Sequence, residues 1–139
     1  MGTYNYTPFI QHTGDDTEYR LLSTDHVKVD TFNGKEVLVV DQKAIDLLTY
    51  EAFVDVNFFL RKKHTAQVAK ILDDPEATEN DKFVANAFLE NALISAKGEL
   101  PYCQDTGTAI VNAYKGNQVM TDGEDKATMS EAIYNVYQD

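Results

Sequence analysis

Cysteine is almost absent from this chain, and so is any apolar run long enough to matter to a membrane. The one thiol, Cys103, has no internal partner for a disulfide, which fits a reducing compartment. The longest nearly apolar stretch, Ala52 to Leu60, is interrupted by Asp55 and Asn57 and falls well short of the ~18 apolar residues that a membrane span needs. Basic residues are scarce too: 12 Lys and Arg stand against 23 Asp and Glu, a formal net charge of −11. That charge repels phosphate backbones, and cations gather only in the short run Arg61-Lys62-Lys63-His64. Neither nucleic acid nor an anionic membrane is an expected partner. The opening Met1-Gly2-Thr3-Tyr4-Asn5-Tyr6 offers neither the basic start nor the apolar core of a secretory leader, so a cytoplasmic location is expected.

What is present suffices for one folded domain. Of 139 residues 43% are hydrophobic, and a chain of this length buries roughly 68% of its unfolded surface. Residues 1–18 have no sustained period and carry Pro8 and Gly14, which predicts an extended arm, and residues 19–139 are read as the folded region. Val27, Val29 and Thr31 alternate with Lys28 and Asp30 before Asn33-Gly34, and a β-branched run, Val37 to Val40, follows. Asn-Gly between two such runs is a strong hairpin signal, because both residues tolerate positive φ. Apolar positions 44, 45, 48, 52, 56 and 59 predict an amphipathic helix from Gln42 to about Leu60. A second helix is expected from about His64 to Leu72, ended by Asp73-Asp74-Pro75. Thr78 followed three residues later by Asp81 marks a new helix start. This third helix, Asp81 to Lys97, is apolar almost all round and is expected to be buried on several sides, with Lys97-Gly98 as its stop. Thr108 to Tyr114, the turn Lys115-Gly116-Asn117 and Gln118 to Thr121 predict a second short hairpin, and a last helix begins near Asp125. The fold class is therefore α+β: a mainly helical core with an N-terminal β-hairpin and a second hairpin.

Chemistry concentrates in Leu100-Pro101-Tyr102-Cys103-Gln104-Asp105-Thr106-Gly107-Thr108-Ala109, which places the only thiol, an amide, a carboxylate and two hydroxyls between a helix and a strand. Its residue types alone leave several readings open. A lone Cys often packs as a small apolar side chain, and Asp-Thr-Gly-Thr suits a turn, so a non-catalytic acidic interaction module is one reading. A nucleophilic Cys needs a base, and none of His12, His26 and His64 is singled out by spacing. Asp105-Thr106-Gly107 matches the Asp-Thr-Gly of aspartic proteases, but those are mostly β, whereas a helix leads into this segment. Metal ligation by one thiolate is incomplete, since iron-sulfur centres use three or four.

The segment LPYCQDTGTAIV, with DDTEYRLLSTDHVKV before it and DDPEATENDKFVANAFLENA between, closely resembles the N-terminal region of class I fumarate hydratases, the iron-sulfur fumarases. The resemblance runs from about Asp15 to the last residue in unchanged order. It implies a hydro-lyase that interconverts fumarate and malate in the tricarboxylic acid cycle, using a four-iron four-sulfur cluster held by three cysteines. Cys103 matches the first of them. Gln104 and Asp105 match residues that contact the dicarboxylate, and Asp105 also matches one implicated in proton handling. Thr106, Gly107 and Thr108 are then supports of the loop, with Gly107 letting backbone approach the cluster. The chemistry is coherent. An iron with an open position is a Lewis acid for carboxylate and hydroxyl, an amide such as Gln104 both donates and accepts, and removal of a weakly acidic C–H proton calls for a positioned base.

The same resemblance implies what these 139 residues do not carry: two further cluster cysteines and the cationic clamp for the substrate carboxylates. The expectation is a truncated N-terminal fragment that is inactive alone and holds no intact cluster. The full-length enzyme is expected to be a homodimer. A related tartrate dehydratase subunit remains a variant of this reading.

Overall fold

Residues 3–7, 18–102 and 108–138 are described by the computed structural model of the chain. Strands β1 (Val27–Phe32) and β2 (Lys35–Val40) form the antiparallel hairpin, with Phe32 opposite Lys35 and Val27 opposite Val40. Asn33 and Gly34 occupy the turn at φ 51° and 74°. Both central residues lie in the left-handed region, which matches the twist of the flanking strands. Asp41 then caps helix α1 (Gln42–Phe58), its carboxylate accepting from the Lys43 N–H at 2.8 Å.

Helix α2 (Lys62–Ala69) starts slightly earlier than its periodicity suggests, and the 3₁₀ turn Lys70–Asp73 ends it ahead of Pro75. Helix α3 (Glu79–Ser95) opens with a capping box. Asp81 N–H donates to the Thr78 hydroxyl at 3.2 Å, and Thr78 N–H donates to the Asp81 carboxylate at 2.9 Å. The bond to Thr78 holds the Asp81 carboxyl below its ordinary pKa. At the other end Gly98, at φ 77°, returns its N–H to the Ser95 carbonyl at 2.9 Å. Helix α4 is Asp125–Val136.

The second hairpin is not formed, and this corrects the sequence expectation. Residues 108–116 join no ladder, and the three-residue strand β3 (Val119–Thr121) pairs parallel to β2, Leu38 opposite Val119. The sheet order is β1-β2-β3. The physical reason is competition for an edge. An isolated two-stranded ribbon is marginal in water, whereas β2 presents an unpaired edge beside which Gln118 to Thr121 extends an existing sheet. The Leu38 N–H donates to the Gln118 carbonyl at 2.7 Å. Ile110 and Tyr114, which the alternation assigned to a strand, are left 75% and 66% exposed.

The elements fall into two packed groups. In one, α1 and α4 lie along each other, with Thr49 of α1 and Ala132 of α4 buried, beside a sheet whose β2 buries Val37. In the other, α2, the 3₁₀ turn and α3 close around Ala85. Helix α3 meets α1 over a short region only, so the expected burial on several sides is not observed. Phe83 is 72% exposed and Leu93 69%, because no described element covers that face. The accessible surface of the chain is 11861 Å², against about 7,200 Å² for a compact monomer of the same mass. Near the N-terminus, residues 3–7 carry no regular structure, and most of the expected arm lies outside the described residues. Arg20 is fixed on the α1 surface by ion pairs of 2.7 Å to both Glu51 and Asp55. No helix among the described residues is long and apolar enough to cross a membrane.

Candidate functional site

Cys103, Gln104, Asp105, Thr106 and Gly107 lie outside the described residues, and Thr108 is exposed in the irregular segment that follows. What the structure does describe is how the chain approaches this segment and how it leaves it. The approach is built on the C-terminus of α1. A helix ends with four backbone carbonyls that have no partner of their own, and in α1 two of them are taken by other pieces of chain. The C-cap Phe59 N–H makes the helix's own last bond to the Asp55 carbonyl at 2.8 Å, while Asn57 accepts from the Tyr102 N–H at 2.6 Å and Phe58 from the Ser95 hydroxyl at 3.0 Å. Ser95 is 1% exposed and sits in the last turn of α3. One helix end thus joins α3, α1 and the residue that precedes Cys103.

Ring contacts reinforce this junction. Tyr102 meets Phe88 edge-on, with centroids 5.4 Å apart at 72°, and Phe88 meets His64 at 5.8 Å and 79°. T-shaped pairs of this kind direct the positive edge of one ring at the negative face of another. One ring, that of Phe88, therefore stands between His64 and Tyr102. Of the other histidines, His26 accepts the Asp41 N–H through its backbone carbonyl at 3.0 Å, and His12 lies outside the described residues.

The departing chain is held by a polar clamp that the sequence did not suggest. Lys115 Nζ donates to Thr121 Oγ1 and to Asp125 Oδ2, each at 3.0 Å. Gln42 Nε2 donates to Asp125 Oδ1 at 2.9 Å, and the Thr128 hydroxyl donates to Gln42 Oε1. The Gln42 N–H itself donates to Asp122 at 3.0 Å. The Gln42 bond, with further bonds from Lys115 and Thr121, holds the Asp125 carboxyl well down, at about 2. Gln42 opens α1, Thr121 closes β3 and Asp125 opens α4. No local spacing signals that Gln42 joins residues 80 or more positions along the chain; the only hint is an acidic residue in the first turn of α4.

Among the described residues no three His, Cys, Asp or Glu side chains converge as a metal would require. An open groove of about 700 Å³ between α2, the 3₁₀ turn and α3, lined by Val68, Ile71, Val84, Ala85 and Phe88, is apolar in the middle. The chain is thus anchored on both sides of residues 103–107 in sequence, by aromatic contacts at Tyr102 before them and by an ionic cluster from Lys115 after them.

Comparison with known proteins agrees with the motif. The family model described as Fumarate hydratase (Fumerase) matches residues 47–139 and takes in the whole 103–108 segment. The aerobic class I fumarate hydratase of Escherichia coli (strain K12) is 54% identical over 123 residues, covering 88% of this chain and 22% of that protein. The anaerobic class I enzyme of the same strain gives the same identity and coverage. The mitochondrial fumarate hydratase 1 of Leishmania major is 43% identical over 141 residues, covering 99% of this chain and 26% of that protein. The chain spans about a quarter or less of the length of these relatives. Matched over most of its length by both the family model and these enzymes, the chain belongs to the class I fumarate hydratase family.

Proposed function

We propose that this chain forms the part of an iron-sulfur fumarate hydratase that carries the first cluster ligand and the first substrate contacts. In this reading Cys103 supplies a thiolate to a four-iron four-sulfur cluster. Gln104 hydrogen-bonds a substrate carboxylate, Asp105 handles the proton next to it, and Thr106, Gly107 and Thr108 support the loop. Substrates are fumarate and malate, the site is reached in the cytoplasm, and the assembled enzyme is a homodimer of the tricarboxylic acid cycle.

The observation that carries this reading is the extent of the family match, which includes residues 103–108 together with the helices that frame them. The donor set sets its limit. Cys103 is the only thiol in 139 residues, a cluster takes three or four thiolates, and no second set of ligands converges among the described residues. The residues of this chain do not hold a cluster by themselves. Cys103 is the right donor type in insufficient number, and the other thiolates come from another segment. The exposed face of α3 and the accessible area, well above that of a compact monomer, support a chain that packs against further protein.

The test is anaerobic co-expression of this chain with the aerobic Escherichia coli enzyme lacking the matching region, followed by fumarate hydration. The pair is expected to hydrate fumarate and the chain alone is not. Asp105→Asn is expected to lower kcat by roughly 10²-fold or more, the loss typical of a positioned acid or base. Full activity of the pair with Cys103→Ala would overturn the assignment of the cluster ligand.

A further inference from the structure

Strand β1 is an open edge of the sheet: the order is β1-β2-β3, and among the described residues no strand lies on its other side. All of its residues are exposed, Val29 to 67%. Its backbone groups divide between the two sides. Phe32 and Lys35 flank a two-residue turn and exchange hydrogen bonds, which directs Phe32, Asp30 and Lys28 at β2 and leaves Val27, Val29 and Thr31 facing the edge. Other bonds mark the same division. Leu38, opposite Val29, sends its N–H away from β1 to the Gln118 carbonyl, and the Thr31 N–H turns to the carboxylate of its neighbour Asp30 at 2.8 Å. A strand that adds antiparallel to this edge must bond to Val27, Val29 and Thr31. Lys28 and Asp30 then stand between those bonds, where facing side chains approach most closely.

We infer that this edge docks the same strand of a second copy of the chain, paired antiparallel about Val29. In that register Val29 faces its own counterpart, Val27 faces Thr31, and Lys28 of each copy faces Asp30 of the other, so the two-fold symmetry makes one opposite-charge contact twice. The same two residues shut out the neighbouring registers. A slip of two residues either way sets Lys28 against Lys28 or Asp30 against Asp30, and like charges directly opposite are destabilising. A slip of one residue sets edge-facing backbone groups against groups already bonded to β2. Roughly six backbone hydrogen bonds join the copies. The partner's Val27 carbonyl takes the Thr31 N–H, and the Asp30 carboxylate that held it turns to the partner's Lys28. On the face that carries Val27 and Val29, Val29 lies opposite the 37% exposed Leu38, so the apolar row of one hairpin continues into the other. The pairing uses no residue of 103–107 and stands apart from the cluster reading.

The test is sedimentation velocity on the 139-residue chain from about 5 μM to about 0.5 mM, in about 0.15 M salt to screen the net charge of −11 on each copy. The parent is expected to move with concentration towards twice its 15.6 kDa. Lys28→Asp and Asp30→Lys each make both contacts repulsive, and each alone is expected to weaken association roughly tenfold or more. Mixed in equal amounts, one variant brings two acids to the edge and the other two bases, so both contacts are again opposite in charge. Association of the mixture is expected to return to within about threefold of the parent. Val29→Pro removes an N–H that faces the edge and none that serves β2, and is expected to stay monomeric. Circular dichroism identifies any variant that fails to fold; the proline variant and the charge variants then decide for one another. The inference is overturned by a parent that stays monomeric, or by a mixture that associates no better than its components. It is equally overturned by charge variants that associate as the parent does, which would move the contact to another surface such as the exposed face of α3. Failure of the co-expressed pair to hydrate fumarate would strike the cluster reading and leave these masses as they are, so the two failures are distinguishable.

Discussion

Replacing Gly123 with alanine tests whether the clamp at the start of α4 is as tight as its geometry indicates. A Cβ at position 123 would stand 2.8 Å from Gln42 Cγ and 3.0 Å from its Cδ, closer than carbon atoms pack. A free glutamine would rotate away at little cost. Gln42 is not free, because its side-chain amide donates to Asp125 and accepts from Thr128, and its own backbone N–H is bound to Asp122. Relief of the clash therefore breaks the clamp, or the clash stays. Overpacking of this kind costs about 1–3 kcal/mol, and the stiffer unfolded chain of alanine returns about 0.5 kcal/mol. The net expectation is a loss of about 1 kcal/mol or somewhat more, read as a lower urea midpoint at unchanged slope. In a Gln42→Ala background the obstructing atoms are gone, and Gly123→Ala is expected to become neutral or to stabilise by about 0.5 kcal/mol. The two substitutions should thus couple by about 1.5 kcal/mol, well beyond the scatter of independent sites. If Gly123→Ala costs the same in both backgrounds, Gln42 does not fill the space beside residue 123 and the argument fails.

Two further outcomes follow from local geometry. Gly34→Ala is expected to destabilise by about 1 kcal/mol through its backbone alone, since φ is 74° and a Cβ there would meet nothing within 4 Å; equal urea midpoints for the two proteins would refute this. The Asp125 carboxyl is held down at about 2 in the folded chain, against an ordinary value of 3.8. Its contribution to stability is therefore fully present above about pH 5 and is lost as pH falls through 3.8 towards 2. Asp125→Asn should flatten that part of the acid unfolding curve, and a curve of unchanged slope would count against the clamp.

The features legible in the sequence are those whose cause is local. Asn33-Gly34 needs only its own two dihedral angles to specify a hairpin, and Thr78 with Asp81 closes a capping box inside one helical turn. Asp73-Asp74-Pro75 and Lys97-Gly98 end their helices for equally short-range reasons. What was not legible depends on partners far along the chain. Residues 108–114 have strand-like composition but no edge to pair with, while the shorter Val119–Thr121 reaches β2. The apolar residues of α3 look like core from any single-helix viewpoint, but no described element packs over Phe83 and Leu93. In the candidate site, the motif from Cys103 to Thr108 was recognisable as residues. Its frame was not, because Tyr102 to Asn57 and Lys115 to Asp125 are pairings that no periodicity encodes.

The parallel pairing of β2 with β3 also bears on the order in which the molecule assembles. The hairpin joins neighbours in sequence and can zip within microseconds. Leu38 and Val119 must find each other across three helices, and such a distant closure is slow because its entropy is lost before any contact compensates. Every residue of the Cys103 segment lies inside that closure. On a ribosome residues 103–107 therefore emerge before the strand that completes the sheet has been made. Until Val119–Thr121 arrives, that side of β2 is a free strand edge, open to pairing with another chain.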